Sequence, residues 1–352
     1  MEMTIQNWKS GTPDIVEHHV LADYIREAVE RNDILGSIHF NTRVMDVRKE
    51  DRQWHLTLAE RIENDIRTRS EVFMIDTTFT ITRVWHSKRY RRPDQFKNKN
   101  VLLVGAGVSS KDIANDLGAI AKQTFQSSRG GMYDLPSHML PDNAFRICGI
   151  ERFDDLSRDS SAKGGSIPGT VTLTDGRKVC NIDYVILCTG YHVSLPFMRQ
   201  YHADGVLPGH ASEEVLVTNG QLKHNLHKDI WYIPDPTLAF IGVLFEFQAM
   251  AVARIFAGEV VLPSREAMRT EYKERISRKG AARTLHSLKG YGEELAYVRE
   301  LMAMVNTPAL SPARRMTGHS VKFLESYERR RAYMQTLLGR TDQKLLEQYI
   351  EC

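Results

Sequence analysis

The sequence predicts an α/β fold built around a parallel sheet, and three observations support this prediction. Residues 101–104 form a short, continuous apolar run, which is typical of a strand buried on both faces. A glycine turn and a helical apolar pattern follow it directly, and residues 123–127 then form a second β-prone segment. A third apolar run, residues 184–187, is soon followed by Gly190. A strand, a glycine turn, a helix and a second strand in this order are typical of a dinucleotide-binding unit.

The glycine turn follows the pattern that such units use to hold a pyrophosphate. Gly105 permits the tight turn, and Gly107 lets the backbone approach the phosphates because it has no Cβ. The N–H groups at the start of the following helix face the phosphates, where the positive end of the helix dipole adds to the attraction. Ser110 replaces the third glycine and is small enough to pack close to the strand.

The end of the second strand predicts which dinucleotide binds. An NAD site usually carries Asp or Glu at this point to bond the ribose hydroxyls, whereas this sequence has Ser127, Ser128 and Arg129. Serine and arginine can bond a 2′-phosphate that a carboxylate would repel, so the sequence favours NADP(H). The alternative is a structural turn of the same shape in which Arg129 is merely solvated.

Residues before the glycine turn predict a helix and several strands. The spacing of Val20, Tyr24 and Ala28 predicts a helix that ends near Asn32. Residues 38–47 and 54–58 are predicted to form a hairpin, and residues 73–75 are a further short strand candidate.

After the second strand, the pattern alternates between turns and short strands. Residues 130–155 are predicted to be an irregular connection because they contain two prolines and no clear period. Residues 171–179 are predicted to form a hairpin through an Asp-Gly turn. Gly190, at the end of a buried strand, either presents backbone to a ligand or simply ends the strand. Further strands are predicted over residues 215–219, 230–233 and 238–242.

The last third of the chain is predicted to be mainly helical. Residues 245–257 have helical apolar spacing and stop at Gly258. From residue 265 onward the pattern is charged and largely helical, including residues 293–305 and 320–338. These helices are expected to cap the sheet or to form the surface of a homodimer.

Composition excludes several classes of function. The formal net charge of +3 over 352 residues is too small to indicate nucleic-acid binding. The sequence has no signal peptide and no apolar run long enough for a membrane span, so a cytoplasmic location is expected. The cysteines form no CxxC pair and have no histidines at metal-ligand spacing, so no metal site is predicted.

Taken together, several ordered motifs resemble the flavin-containing monooxygenases, most closely the fungal members of the dimethylaniline monooxygenase type. The motifs lie over about residues 10–265, and their order makes the resemblance specific. In chain order they are His86-Ser87 with Tyr90 and Arg91, VLLVGAGVSSKDIA (101–114), CTGY (188–191), FIGV (240–243), LFEFQA (244–249) and LPS (262–264).

The resemblance implies a redox enzyme with two nucleotide cofactors. NADPH would reduce FAD, and one atom of dioxygen would then pass to a nitrogen, sulfur or ketone centre of a small molecule, with fungal secondary metabolism as a setting. No catalytic residue is assigned. By resemblance, the residues that would contact NADPH are Gly105, Gly107, Ser109, Ser110 and Arg129. Those that would lie near FAD are Thr189, Gly190 and Gln248.

The same resemblance implies a domain organisation. The fold class is a Rossmann-type dinucleotide-binding domain inserted in an incomplete FAD-binding domain, with a helical C-terminal region. Residues 1–96 are expected to be a remnant of the FAD-binding domain, and residues 97–190 the NADPH-binding domain. Residues 191–264 are expected to return to the FAD-type domain, and residues 265–352 to form the helical region.

The sequence departs from the family pattern near its start. No glycine fingerprint for the FAD pyrophosphate precedes residue 100, so an N-terminally shortened family member is expected. Three hypotheses remain open at this point: a flavin monooxygenase, an NADPH-binding reductase or accessory protein that has lost FAD, and a non-catalytic remnant.

Overall fold

A computed structural model gives the structure of the protein. It describes residues 8–12, 16, 18–60, 83–131, 133–154, 171–242, 244–288, 292–308, 310–312 and 315–338. The α-helices of these residues are α1 (His18–Arg31), α2 (Val108–Leu117), α3 (Phe245–Phe256), α4 (Arg265–Lys279), α5 (Glu293–Val305) and α6 (Val321–Leu338). The strands are β1 (Thr42–Glu50), β2 (Gln53–Glu60), β3 (Val84–His86), β4 (Asn100–Val104), β5 (Gln123–Ser127), β6 (Ala144–Ile147), β7 (Ile150–Phe153), β8 (Val171–Leu173), β9 (Lys178–Val179), β10 (Tyr184–Leu187), β11 (Leu226–His227) and β12 (Trp231–Tyr232).

The described residues form two compact units. The nucleotide unit, as we call it from its fold, comprises those of residues 69–191 with those from 329 onward. The discontinuous unit comprises those of residues 1–68 and 192–328. The nucleotide unit therefore interrupts the other in sequence, which agrees with the predicted insertion of a Rossmann-type domain.

A five-stranded parallel sheet forms the centre of the nucleotide unit. Its strand order is β3-β10-β4-β5-β6, and every neighbouring pair is parallel. The register pairs Val104 with Leu187 on one side and with Ser127 on the other. The carboxyl ends of β10, β4 and β5 therefore lie side by side at one edge of the sheet, where open α/β sheets bind their ligands.

Both faces of this sheet are covered, which explains the continuous apolar run of β4. Val101 and Leu103 pack on one face with Ile113 and Leu117 of α2. Leu102, between them in sequence, packs on the other face against β8 and β9. Because successive side chains of a strand point to opposite faces and both faces are covered here, residues 101–104 are apolar at every position.

The discontinuous unit combines a hairpin with packed helices. β1 and β2 pair antiparallel, as predicted for this segment. β1 begins and ends a few residues later than predicted, whereas β2 extends the predicted residues 54–58 at both ends. One core cluster packs α3 against α5, and another packs α4 around Leu222 and Ile233. The helices predicted near residues 18–31, 245–257, 293–305 and 320–338 are confirmed.

Some predicted elements are wrong. Residues 130–155 are not an irregular connection, because they contain β6 and β7. These strands have only four residues each, so no period could develop. Residues 215–219 and 238–242 form no named strand. Each contributes an isolated bridge, His202 to Val217 and Trp231 to Ala239. The strand predicted over residues 230–233 shortens to β12, and the candidate over 73–75 lies outside the described residues.

Candidate functional site

The glycine turn after β4 is held from three sides at the carboxyl edge of the sheet. The Gly105 N–H donates to the Ser127 carbonyl oxygen at 3.0 Å, at the end of β5. The Cys188 N–H donates to Val104 at 2.8 Å, and the Leu135 N–H donates to Ala106 at 2.9 Å. The turn thus has a fixed position between two strand ends and a loop.

Gly105 is required by the geometry of this turn. Its φ is +110°, a conformation that side chains of L residues rarely adopt. A Cβ added there would lie 2.6 Å from the carbonyl oxygen of Cys188. The glycine therefore allows β4 to leave the sheet directly beside the end of β10.

The first turn of α2 presents backbone N–H groups next to the glycine turn. Gly107 is the N-cap residue, with φ −81°, and its carbonyl oxygen accepts the first helical hydrogen bond from the Lys111 N–H. Ser109 is exposed, whereas Ser110 is fully buried. The N–H groups of a first helical turn have no acceptor within the helix, so they are available to an anion.

The Ser110 side chain belongs to a polar chain beneath the turn. Its Oγ accepts a hydrogen bond from Gln126 Nε2 at 2.8 Å, and Gln126 Oε1 accepts one from Arg146 Nε at 2.8 Å. Arg146 also donates to the Leu135 carbonyl oxygen at 2.5 Å. Ser110 thus supports the turn from below, and its predicted contact with NADPH stays a prediction.

Cys188 lies at the same edge without nucleophilic character. Burial raises the pKa of the Cys188 thiol to about 12, although a hydrogen bond with Ser110 acts in the opposite direction. The thiol therefore stays protonated at neutral pH, and a protonated thiol is a poor nucleophile.

Arg129 follows β5 with its side chain exposed. Its stem crosses the backbone of Gly149, where an added Cβ would lie 3.3 Å from Arg129 Cγ. Within the part of the chain that the structure describes, no carboxylate forms an ion pair with this guanidinium. A guanidinium that is free of a carboxylate can bind a phosphate.

Sequence reasoning missed the acid in the loop that follows Arg129. Asp134 accepts hydrogen bonds from the hydroxyl of Ser128 and from the Gly131 N–H, the second at 3.0 Å. No signal in the sequence indicated this contact, because Asp134 lies beyond the strand end where a ribose-binding acid is expected.

Thr189 and Gly190 follow β10 at the same edge of the sheet as Gly105. Thr189 is exposed, and Gly190 has φ +86°. The Gly190 carbonyl oxygen lies 3.1 Å from His86 Nε2, at the end of β3. The structure therefore brings both residues close to the glycine turn, through the contact of Gly105 with Cys188.

Gln248 belongs to the discontinuous unit, in α3. Its side chain is fully buried. Oε1 accepts a hydrogen bond from the Gly242 N–H at 2.8 Å, and Nε2 donates to the Tyr297 hydroxyl at 2.8 Å. Tyr297 in turn donates to the Lys228 carbonyl oxygen at 2.5 Å. Both ends of the amide are thus engaged within the protein, and its predicted contact with FAD stays a prediction.

We expect Tyr297→Phe to lower the free energy of unfolding by about 2 kcal/mol, because it removes the two hydrogen bonds that the Tyr297 hydroxyl makes, with Gln248 Nε2 and with the Lys228 carbonyl oxygen. Chemical denaturation measures this change. Tyr333→Phe is the matched control, since Tyr333 is 64% exposed on α6. Equal stabilities of the two variants would contradict the structural role of the Gln248–Tyr297 bond.

Comparison with known proteins places this geometry in a family. The model of the family FMO-like (flavin-binding monooxygenase-like) matches residues 7–158. The flavin-containing monooxygenase ustF2 of Aspergillus flavus is 33% identical over 93% of this chain, and the match covers 74% of ustF2. The chain belongs to the flavin-containing monooxygenase family. A second relative in the family is the flavin-containing monooxygenase ustF1 of the same fungus. It is 31% identical over 94% of this chain, and the match covers 75% of ustF1.

A solved structure shows the same fold. The structure of S-allyl-L-cysteine S-oxygenase from Allium sativum matches with a TM-score of 0.65 and 18% sequence identity. The match covers 97% of this chain and 78% of the Allium sativum chain. The predicted α/β fold and the predicted resemblance are therefore confirmed. As a member of the flavin-containing monooxygenase family, the chain is an oxidoreductase, and the family agrees with the predicted use of FAD and NADPH.

Proposed function

We propose that this chain is an FAD- and NADPH-dependent monooxygenase that oxygenates a nitrogen, sulfur or ketone centre of a small molecule. One observation carries the proposal. A glycine turn, a helix N-terminus and Arg129, with which no described carboxylate pairs, lie at the carboxyl edge of a parallel sheet in a chain of this family. Each of these features favours a phosphorylated, anionic ligand.

The described residues fit NADPH. The first turn of α2 would bind the pyrophosphate through its N–H groups, with Gly107 allowing close approach. Ser109 is exposed beside it and can donate its hydroxyl. Arg129 would bind the 2′-phosphate with its guanidinium. The chain's contribution is to hold the nucleotide in one orientation.

The described residues account for less of an FAD site. Thr189 and Gly190 end the strand next to the glycine turn, and we keep them as proposed flavin contacts. In the described part of residues 1–96, no strand leads into a glycine turn of the kind that follows β4, so no described residue is assigned to the FAD pyrophosphate. When bound, a reduced flavin supplies the chemistry of oxygen activation.

The remaining proposals concern location and partners. In the part of the chain that the structure describes, no helix has the length and apolar character to span a membrane. We keep a cytoplasmic location, a small-molecule substrate, the absence of nucleic acid and a homodimer as proposals.

An absorption spectrum of the purified protein in air, before and after NADPH is added, tests the cofactors. A flavin band that bleaches and then recovers supports the monooxygenase. If the protein is colourless, cannot be loaded with FAD and still binds NADPH, the result would favour the reductase or accessory protein. The intact glycine turn supports this alternative. A protein that binds neither ligand would be a non-catalytic remnant.

We expect Arg129→Ala to lower the affinity for NADP⁺ by about twentyfold and to leave that for NAD⁺ within about twofold, because only the 2′-phosphate loses a partner. Isothermal titration of both nucleotides measures this. Arg152→Ala is the control, because the exposed Arg152 of β7 is paired with Asp154 at 2.8 Å. Equal losses for the two nucleotides would contradict the proposed role of Arg129.

A further inference from the structure

The residues on both sides of Arg129 are held by one carboxylate. Asp134 Oδ2 accepts a hydrogen bond from the Ser128 hydroxyl, on one side of Arg129, and one from the Gly131 N–H at 3.0 Å, on the other side. Ser128 Oγ also accepts a bond from the Gly130 N–H at 3.1 Å. These three bonds close the backbone around Arg129 into a fixed shape.

The residue that follows Asp134 in sequence connects this loop to the glycine turn. Leu135, the residue after Asp134, donates its N–H to Ala106 in the turn and accepts a bond from Arg146 at its carbonyl oxygen. The Tyr133 carbonyl oxygen lies 3.7 Å from the point where a Cβ of Gly107 would be. The loop that carries Arg129 is therefore attached to the turn at its other end.

Two roles for Asp134 are chemically possible. A carboxylate after the second strand of a dinucleotide-binding unit can accept a hydrogen bond from the ribose 2′-hydroxyl, which favours NAD(H) and repels a 2′-phosphate. Alternatively, a carboxylate can hold a loop in place by accepting bonds from its own donors. Here Oδ2 already accepts two bonds from within the loop, and this observation favours the second role.

We propose that Asp134 is a positioning residue that fixes the loop around Arg129, so that the guanidinium is presented to the 2′-phosphate of NADPH. This inference rests on the proposed function. Because Asp134 bonds Ser128 and Gly131 and no described carboxylate pairs with Arg129, the charge of Arg129 stays available for the phosphate. Asp134 thereby sets the preference for NADPH over NADH without contacting the nucleotide.

The dissociation constants of NADP⁺ and NAD⁺ for Asp134→Ala and Asp134→Asn test this inference. We expect Asp134→Ala to weaken the binding of NADP⁺ about tenfold and that of NAD⁺ no more than about twofold, since the loop loses two hydrogen bonds to a charged acceptor. Asp134→Asn keeps an oxygen that can accept one of these bonds, so it should restore part of the affinity for NADP⁺. Tighter NADP⁺ binding together with weaker NAD⁺ binding in either variant would overturn the inference, because Asp134 would then be a ribose acceptor.

Two further variants separate this inference from the proposed function. Ser128→Ala keeps Asp134 but removes the hydroxyl that links Asp134 to the residue before Arg129. We therefore expect about a threefold loss of affinity for NADP⁺. Ser128→Ala also serves if Asp134→Ala does not fold, and an unchanged affinity for NADP⁺ would then overturn the inference. If Arg129→Ala changes the preference and Asp134→Ala does not, only the inference fails. If Arg129→Ala has no effect, the proposed NADPH site itself fails.

Discussion

Gly105→Ala is expected to destabilise the protein by about 4 kcal/mol, which is a large part of the stability of an ordinary domain. Two costs add. A residue with a Cβ at φ +110° adopts a strained backbone, worth about 1–2 kcal/mol. The Cβ would also lie 2.6 Å from the Cys188 carbonyl oxygen, and such overpacking costs about 1–3 kcal/mol.

Gly176→Ala separates these two costs. Gly176 has φ +83° in the turn between β8 and β9, and an added Cβ there meets nothing within 4 Å. It therefore carries the backbone strain without the collision. Urea denaturation of both variants should show that Gly105→Ala loses clearly more stability than Gly176→Ala. Equal losses would mean that the approach of β4 to β10 is not tightly fixed.

Gly107→Ala is expected to lower the free energy of unfolding by no more than about 1 kcal/mol, since glycine is preferred to alanine at an N-cap. It is expected to weaken the binding of both NADP⁺ and NAD⁺ by about a hundredfold. The backbone at Gly107 has φ −81°, which alanine adopts readily, and the nearest atom to an added Cβ is 3.7 Å away. The methyl group would instead occupy the space where the pyrophosphate approaches the helix. Since both nucleotides contain a pyrophosphate, both should lose affinity alike.

This result differs from the one expected for Arg129→Ala, which should affect NADP⁺ alone. Titration of the two nucleotides with each variant gives the comparison. Gly209→Ala is the control, because an added Cβ at Gly209 meets nothing within 4 Å and its φ is not positive. Unchanged nucleotide affinity in Gly107→Ala would contradict the proposed pyrophosphate site.

The parts of the fold that depend on local pattern could be predicted. The strand over residues 123–127 and that over 184–187 have the predicted bounds, because both are apolar or β-prone runs that end at turn residues. The glycine turn was predicted for the same reason: its residues are adjacent in sequence. Gly105 proved necessary for a further reason, its contact with Cys188, which lies more than 80 residues away.

The parts that depend on distant partners could not be predicted. Arg146 lies in the segment predicted to be an irregular connection, yet it connects β6 with Gln126 and with the loop before it. The amide of Gln248 finds its partner in Tyr297, 49 residues further along. Hydrogen bonds between distant residues leave no period in the sequence, since they require only that two polar groups meet.

The position of β10 has a consequence for the synthesis of the chain. This strand lies between β3 and β4 and pairs with both, although it is the last strand of the sheet to be synthesised. Until residue 187 has left the ribosome, β3 and β4 have no strand between them, and the apolar positions that Ile186 covers stay open to solvent. Pairings between segments so far apart in sequence form slowly. In a nascent chain that ends before β10, β3 therefore lacks its partner strand and the edge of β4 that faces β10 stays unpaired.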